Sequence, residues 1–430
     1  MHLHVHTEYS LLDGASRIPE LIAAVKEAGM TSIAITDHGA MYGVIDFYKE
    51  AVAQGVKPII GCEVYVAPTG RKERAEVNGV KYYHLILLAE NQTGYRNLVK
   101  LVSLANIEGF YYKPRVDHEL LRQYHEGLIC LSACVAGEVP RALIADQPER
   151  ADAIVREYLS IFGKENYFLE IQNHGLPEER KANEGLIALA EKYGIGLVAT
   201  NDLHYVHRED SEFHDILLCI QMGKTIDDPD RMRFSSDDYY LKTPEEMAAL
   251  FPDHPEALAN TVRIAERCNV AFEFGHLQLP YYPIPAPHKD DEAYLRYLCE
   301  ERLPQRYPEA DERVRERLDY ELGIIHRMGY DSYFLIVWDF RFFNQSVITI
   351  CGFRHRFLFS FMNRCCGICI HLHLPKSICF IDSTFQDGME FDRNSDGIYE
   401  RIFDCILIAF IISCENKVRL GGYCNSPGFT

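Results

Sequence analysis

The stretch HLHVHTEYSLLDG, residues 2–14, sets the reading of this chain. His4 and His6 lie two residues apart. On a strand, positions i and i+2 project to the same side, so both imidazoles can meet one centre. The same spacing returns far along the chain at Asp202 and His204, within ATNDLHYV at 199–206. Other ligand-type side chains sit at or beside short apolar runs. Asp37 and His38 fall in ITDHGAMYG (35–43), Glu63 in KPIIGCEVYV (57–66) and Cys134 in LSACVAGEVP (131–140).

These runs alternate with helical stretches. Strands are predicted over 3–6, 32–36, within 57–66, and over 84–89, 128–132, 167–171 and 196–200. Residues 18–28 place Ile18, Leu21, Ile22 and Val25 on one helical face and stop at Gly29. Further helices are predicted over 41–53 and 92–105. Strand–helix repetition implies a parallel sheet with covering helices. Seven such units fit a closed α/β barrel better than an open doubly wound sheet, though the open form remains an alternative. No glycine-rich nucleotide fingerprint follows any strand. In a parallel barrel the C-terminal strand ends share one rim. His84 breaks the pattern, because it begins its strand and is expected at the opposite rim.

Taken singly, each piece is weak. A lone HxH is common at surfaces and caps, Cys134 alone reads as a small buried hydrophobe, and Glu63 could pair with a basic neighbour. Together, at strand ends, they point to a metal hydrolase. Imidazole and thiolate suit zinc and other transition ions, and carboxylates can bridge neighbouring ions. Two or three ions can activate water and clamp the leaving oxygen of a phosphodiester. Nothing suggests a covalent nucleophile with an oriented base.

The chain has 430 residues, 47% of them hydrophobic, and a net charge of −19. That acidity argues against a nucleic-acid surface, although bound cations would offset part of it. Residues 1–10 lack the basic start and apolar core of a secretory signal. Before residue 341 the cysteines are Cys62, Cys130, Cys134, Cys219, Cys268 and Cys299, a scatter that implies reduced thiols in cytoplasm. No membrane span is expected. A metal-barrel domain is assigned to 1–273 and a second domain to 274–340, with the proline-rich Pro280–Pro287 near its start read as a linker or rigid surface run. Helices over 290–303 and 312–328 and a strand over 333–340 are predicted there.

Residues 341–430 change character. Eight of the fourteen cysteines and a single alanine, Ala409, fall there, and no settled period holds. Cys365, Cys366 and Cys369 with His371 and His373 could bind zinc, but no second cysteine pair supports them. The apolar 406–412 is too short to span a bilayer. The preferred reading is a divergent or artefactual tail of unknown fold.

The segment at 2–14 resembles the opening motif of the polymerase and histidinol phosphatase (PHP) domain, in the version that begins bacterial DNA polymerase III alpha subunits. The motifs at 35–43, 57–66, 131–140 and 199–206 match in order. So do YHLILLAEN (83–91), HDILLCIQMGKTIDDPDRMRF (214–234) and MGYDSYFLIVWDF (328–340). The resemblance covers essentially residues 2–340. It implies a distorted seven-stranded (β/α) barrel with a trinuclear site, followed by the beginning of a mixed α+β polymerase palm. Carried over by position, the ligands are His4, His6, Asp13, His38, Glu63, His84, Cys134, Asp202 and His204. The resemblance then implies a metal-dependent 3′→5′ exonuclease acting on a DNA primer terminus through metal-bound hydroxide. Three ions of zinc, manganese or iron would serve. Asp37 is a candidate for orienting a ligand imidazole from behind. Arg208, Arg231 and Arg233 are candidate phosphate contacts, against the plainer reading of exposed arginines without a role.

In the full-length family the partners are the sliding clamp, other replisome subunits and dNTPs, with magnesium at the polymerase site. An inert scaffold that binds polymerase partners, or a small-molecule phosphatase, are the alternatives. The family's glycine-rich, serine-containing loop and PDxDxDF-like carboxylates do not follow VWDF at 337–340. Asp382, Asp387, Asp392 and Asp396 lie in other contexts. The chain is therefore expected to be a fragment that does not polymerise DNA by itself.

Overall fold

The computed structural model describes residues 1–275 and 279–339. The cysteine-rich zinc candidate and the apolar 406–412 lie outside the described residues. The chain divides into two compact units, Met1–Phe274 and a second that begins at Gly275.

The first unit is a curled sheet of seven strands: β1 Ser32–Ile35, β2 Lys57–Val66, β3 Tyr83–Ala89, β4 Arg115–Val116, β5 Leu128–Leu131, β6 Tyr167–Ile171 and β7 Gly196–Ala199. Its order is β1-β2-β3-β5-β6-β7, with β4 paired to β2. Both faces are covered, so β1 and β5 are buried at every position. Alternate residues feed two separate apolar clusters. Ala34, Ile59, Ile86, Leu88, Ile129, Leu131 and Val198 pack inside the curl, with Ile264 from the helix Pro255–Arg267 and Cys268 just after it. Ile33, Ile35, Ile60, Leu85, Leu87 and Leu197 pack outward under the other helices. The helix Ile18–Glu27 buries Ile18, Leu21, Ile22 and Val25, the face its periodicity predicts.

Two expectations about the strands are corrected. Residues 3–6 do not form a strand. They make single bridges instead: Val5 pairs with Leu203, His6 N–H donates to the Leu203 carbonyl at 2.7 Å, and Thr36 N–H donates to the Val5 carbonyl at 2.9 Å. This irregular segment joins β1 to the residues after β7, and so links the two edges of the open strand path. The seventh strand is the unanticipated β4.

The sheet is also mixed rather than parallel. β3 runs antiparallel to both β2 and β5, while β1–β2, β5–β6 and β6–β7 are parallel. The connection between β2 and β3 holds no helix, and without a crossover helix two neighbouring strands pair antiparallel. Buried arginines fix that connection. Arg115 is fully buried and donates to the carbonyls of Arg71, Glu73, Lys81 and Gly109. Arg71 is bound by Asp117, Glu108 and Glu119. β2 itself changes partner at Gly61, from β1 before it to β3 from it onward. A Cβ there would lie 2.7 Å from the Leu87 carbonyl oxygen.

The described part of the second unit is helical: Asp291–Arg306, Glu312–Arg327 and residues 331–339. Asp290 and Asp311 cap the first two by accepting from Ala293 N and Val314 N. Leu295, Leu298, Leu322, Ile325 and Leu335 form its core. The predicted strand over 333–340 is thus corrected to helix for its described residues, 333–339. Burial there is one-sided, complete at Leu335 and partial at its neighbours, as on a helix face. A short apolar run does not distinguish the two by itself.

Candidate metal centre

The reversal of β3 resolves the position of His84. An antiparallel strand begins where its parallel neighbours end, so His84 stands on the same rim as the other candidates. Its N–H donates to the Ala136 carbonyl at 3.1 Å, beside the loop that carries Cys134. Glu63, two residues past the bend in β2, faces the same space.

Glu63 is the hub. Its carboxylate meets His4 Nε2 at 3.2 Å, His84 Nδ1 at 2.8 Å and the imidazole of His38. Asp202 Oδ1 lies 3.0 Å from His4 Nε2 and 3.2 Å from His6 Nε2. Asp13 Oδ2 lies 3.0 Å from His38 Nε2. Three overlapping donor groups result: His6, His38 and His204; His4, His6 and Asp202; His38, Glu63 and His84. Seven of the nine candidates belong to these groups. Asp13 adjoins them through His38, and Cys134 sits at the edge with Sγ 3.9 Å from His84 Nδ1.

The local backbone is bent to make this possible. Leu12, Ala133 and Asp202 have φ of 63°, 64° and 45°. Non-glycine residues seldom adopt this left-handed region, and those that do cluster at functional sites. Here they precede Asp13, precede Cys134 and coincide with a candidate ligand. Gly14 allows the first turn to close, since a Cβ there would lie 2.1 Å from the Thr7 carbonyl oxygen.

Electrostatics put most of the donors in metal-binding form. Burial alone would raise the carboxyls of Glu63 and Asp202. The imidazoles of His84 and His38 around Glu63, and of His4 and His204 around Asp202, overcome it and hold both well below the usual range. Burial, with His38 and His204 beside it, pushes His6 down to about 3. His4 goes the other way: against its burial, Asp202 and Glu170 raise it well above the usual imidazole value. So does His38. Burial opposes its charge, but Glu63 and Asp13 raise it to about 10. Burial and then Asp202 and Glu63 push the Cys134 thiol up, so a thiolate there calls for a neighbouring cation.

The residues fit metal ions on a further count. Among the described residues, His4 Nε2, His6 Nε2, Asp13 Oδ1, His38 Nδ1, Glu63 Oε2 and Asp202 Oδ1 are buried and, although most lie close to an opposite charge, make no well-directed hydrogen bond. Native structures rarely leave buried polar atoms so. Cations among them would supply the missing partners, and oxygen, imidazole and thiol donors together suit divalent transition ions.

The shell behind the pocket contains residues the sequence reading passed over. Glu170 in β6 accepts from or pairs with His4 Nδ1 at 2.8 Å, and Gln172 and Thr200 bind Glu170 in turn. A carboxylate behind a ligand imidazole fixes its orientation. Alternation along β6 puts Glu170 on the inner face, a signal available in the sequence. Asp37 touches no imidazole, which corrects its expected direct role. It accepts from Thr7 N–H at 2.7 Å and from the Ser10 hydroxyl at 2.7 Å, and Ser10 Oγ lies 3.0 Å from His6 Nδ1. Its influence on His6 therefore passes through Ser10.

The arginine candidates are corrected in part. Arg231 is buried and paired, its guanidinium with Asp215 and its Nε–H with the Ile226 carbonyl, which holds it away from an open phosphate contact. Arg208 binds Asp237, Asp238 and the Tyr240 hydroxyl. Arg233 is exposed and, among the described residues, forms no ion pair.

Residues 2–174 match the PHP domain family, and residues 293–355 match the bacterial DNA polymerase III alpha NTPase domain family. The chain is 52% identical over 341 residues to the DNA polymerase III subunit alpha of Treponema pallidum, covering 79% of this chain and 29% of that protein. The corresponding subunit of Borreliella burgdorferi is 45% identical over 79% of this chain and 30% of its own length. That of Thermus aquaticus is 43% identical over 79% of this chain and 33% of its own length. The chain belongs to the bacterial DNA polymerase III alpha family. It spans about 30% of the length of the alpha subunits it matches. Within the alpha family's PHP region, the curled sheet and its three donor groups are the equipment of a metal-dependent hydrolase. Among the described residues no helix is long and apolar enough to cross a membrane.

Proposed function

We propose that this pocket is a phosphodiesterase centre that trims the 3′ end of a DNA primer strand. The observation that supports the reading most is the overlap of three donor groups, through His6 and His38, in one buried pocket. Overlapping sets suit two or three ions a few ångströms apart, the spacing that clamps the attacking and leaving oxygens of a phosphodiester. His4, His6, Asp13, His38, Glu63, His84, Cys134, Asp202 and His204 would hold them, as zinc, manganese or iron. When bound, the ions supply Lewis acidity and charge neutralisation at the scissile phosphate.

The chain's own residues do the positioning. Glu170 holds His4, and Ser10, itself held by Asp37, holds His6. The side chains of Asp13, His38, His84 and Asp202 keep between 12% and 16% exposure, the opening through which a phosphate could enter. Arg233 is the remaining candidate for a phosphate contact. In the whole alpha subunit we place this chemistry beside DNA synthesis, with magnesium and dNTPs at a separate polymerase site and the sliding clamp and other replisome subunits as partners. The division of the chain into a metal-binding domain and the start of a polymerase domain belongs to the same proposal.

The test is trimming of a 5′-labelled primer by the purified chain with zinc, manganese or iron, alongside Asp202→Asn. The reading expects divalent-dependent shortening that falls by about a hundredfold or more in the variant. Metal uptake without trimming would leave a structural centre, the scaffold reading. Faster turnover of small phosphomonoesters than of DNA ends would favour the phosphatase.

A further inference from the structure

The nine donors of the proposed centre come from strand ends and the loops beside them. A tenth ring faces the same pocket from a helix. His214 lies on the helix Ser211–Met222, and its side chain is 2% exposed. The ring stands edge-on to His204 and to Phe234, at centroid distances of 5.5 and 4.7 Å. Its Nε2 is buried without a hydrogen bond. The atom it faces, Asp13 Oδ1 at 3.8 Å, is buried without one too. His204 Nε2 stands at the same 3.8 Å from the same oxygen.

A gap of this size is too long for a hydrogen bond. It suits two atoms that share a cation. With metal–ligand bonds of about 2.0–2.2 Å, neighbouring donors on one ion stand about 3–4 Å apart. The other partners of these groups are already fixed. Asp13 Oδ2 is taken by His38 Nε2 at 3.0 Å, and His204 Nδ1 lies 2.7 Å from the Asp202 carbonyl oxygen. Asp13 Oδ1 is therefore approached at 3.8 Å by one imidazole nitrogen from His204 and one from His214.

We propose that His214 is a further metal ligand, which shares one cation of the centre with Asp13 and His204. The inference rests on the metal-centre reading above and adds to it a donor outside the nine that the family resemblance carries over. It also gives the stretch 214–234 a part in the site through its first residue.

The test is a metal count on the full chain. The unsubstituted chain and the variants His214→Ala, His214→Phe and His214→Asp are stripped with a chelator and titrated with Zn²⁺ and with Co²⁺. Bound ions are counted by mass spectrometry, and the Co²⁺ absorption bands are followed. The proposal expects the alanine and phenylalanine variants to lose one equivalent, or to bind one ion at least about tenfold more weakly, with the remaining ions unchanged. His214→Asp should restore the missing equivalent. Phenylalanine keeps a ring against Phe234 and His204, so its failure isolates the donor atom from the packing. Should alanine prevent folding, the contrast of phenylalanine with aspartate decides. Unchanged stoichiometry and affinity in His214→Phe overturn the proposal and leave the metal centre standing. If the unsubstituted chain takes up no divalent ion, both fall together.

Discussion

The first unit buries two polar clusters, and they are finished differently. Around Arg71 and Arg115 every charge has a protein partner. Arg71 meets Asp117, Glu108 and Glu119, and Arg115 meets four carbonyls. In the pocket around Glu63, by contrast, several imidazole nitrogens and carboxylate oxygens crowd one another without a well-directed hydrogen bond. An unpaired buried polar group is costly. The first cluster completes itself and serves the fold, holding the connection that reverses β3. The second leaves donors whose types and spacing suit divalent cations, so it is the cluster that metal removal should expose.

Removing the metals should have the largest effect. An ion held at a thousand times its dissociation constant stabilises by about 4 kcal/mol. Chelation should therefore lower the melting temperature of the first unit by many degrees, and calorimetry with and without chelator measures it. An unchanged melting curve would put the two clusters on the same footing.

Next comes Arg115→Met, which keeps much of the side-chain volume and strands four buried carbonyls. We expect a loss of about 3–5 kcal/mol in urea unfolding, present with or without metal. Asp37→Ala should cost less, about 1–3 kcal/mol, and should also weaken metal binding by about 10–100-fold through Ser10 and His6. A stability loss with intact metal affinity would break the proposed link from Asp37 to His6.

The smallest effect belongs to His118, at the margin between burial and solvent. Burial opposes its charge, but Glu138, at 3.1 Å, and Glu157 overcome this and raise its pKa. A raised folded value means the stabilisation is fully present below about pH 6.5 and fades as pH climbs through that raised value. His118→Gln should then cost about 0.5–1 kcal/mol near pH 5.5 and little in alkali. Melting temperatures across that range test the sign.

Much of the site was legible because strand periodicity speaks directly to side-chain direction. Glu63 within its apolar run follows that periodicity, and the two-residue spacings His4–His6 and Asp202–His204, which lie outside the regular strands, gained their weight by occurring together. His84 misled because strand direction is set by the connection before it. Residues 67–82 lack a helix, and Arg115 pins them from thirty residues or more downstream. Residues 3–6 read as a strand but bond on each side through only one or two residues. Residues 331–339 read as a strand because a short apolar run has no period of its own. His214 stayed hidden for a related reason. One histidine amid HDILLC looks like packing until Asp13 and His204 are placed beside it.

The irregular segment at residues 3–6 is the joint between the two ends of the sheet, and this bears on how the molecule is made. Its partner at Leu203 and the facing Asp202 are synthesised roughly two hundred residues later, and contacts of such long range form slowly. Until then His4 and His6 are a loose amino-terminal arm with half a cage. A cation captured early would meet few of its ligands, so the pocket should fill only when the ring shuts. Metal uptake followed during refolding would thus report the last step of assembly rather than the first.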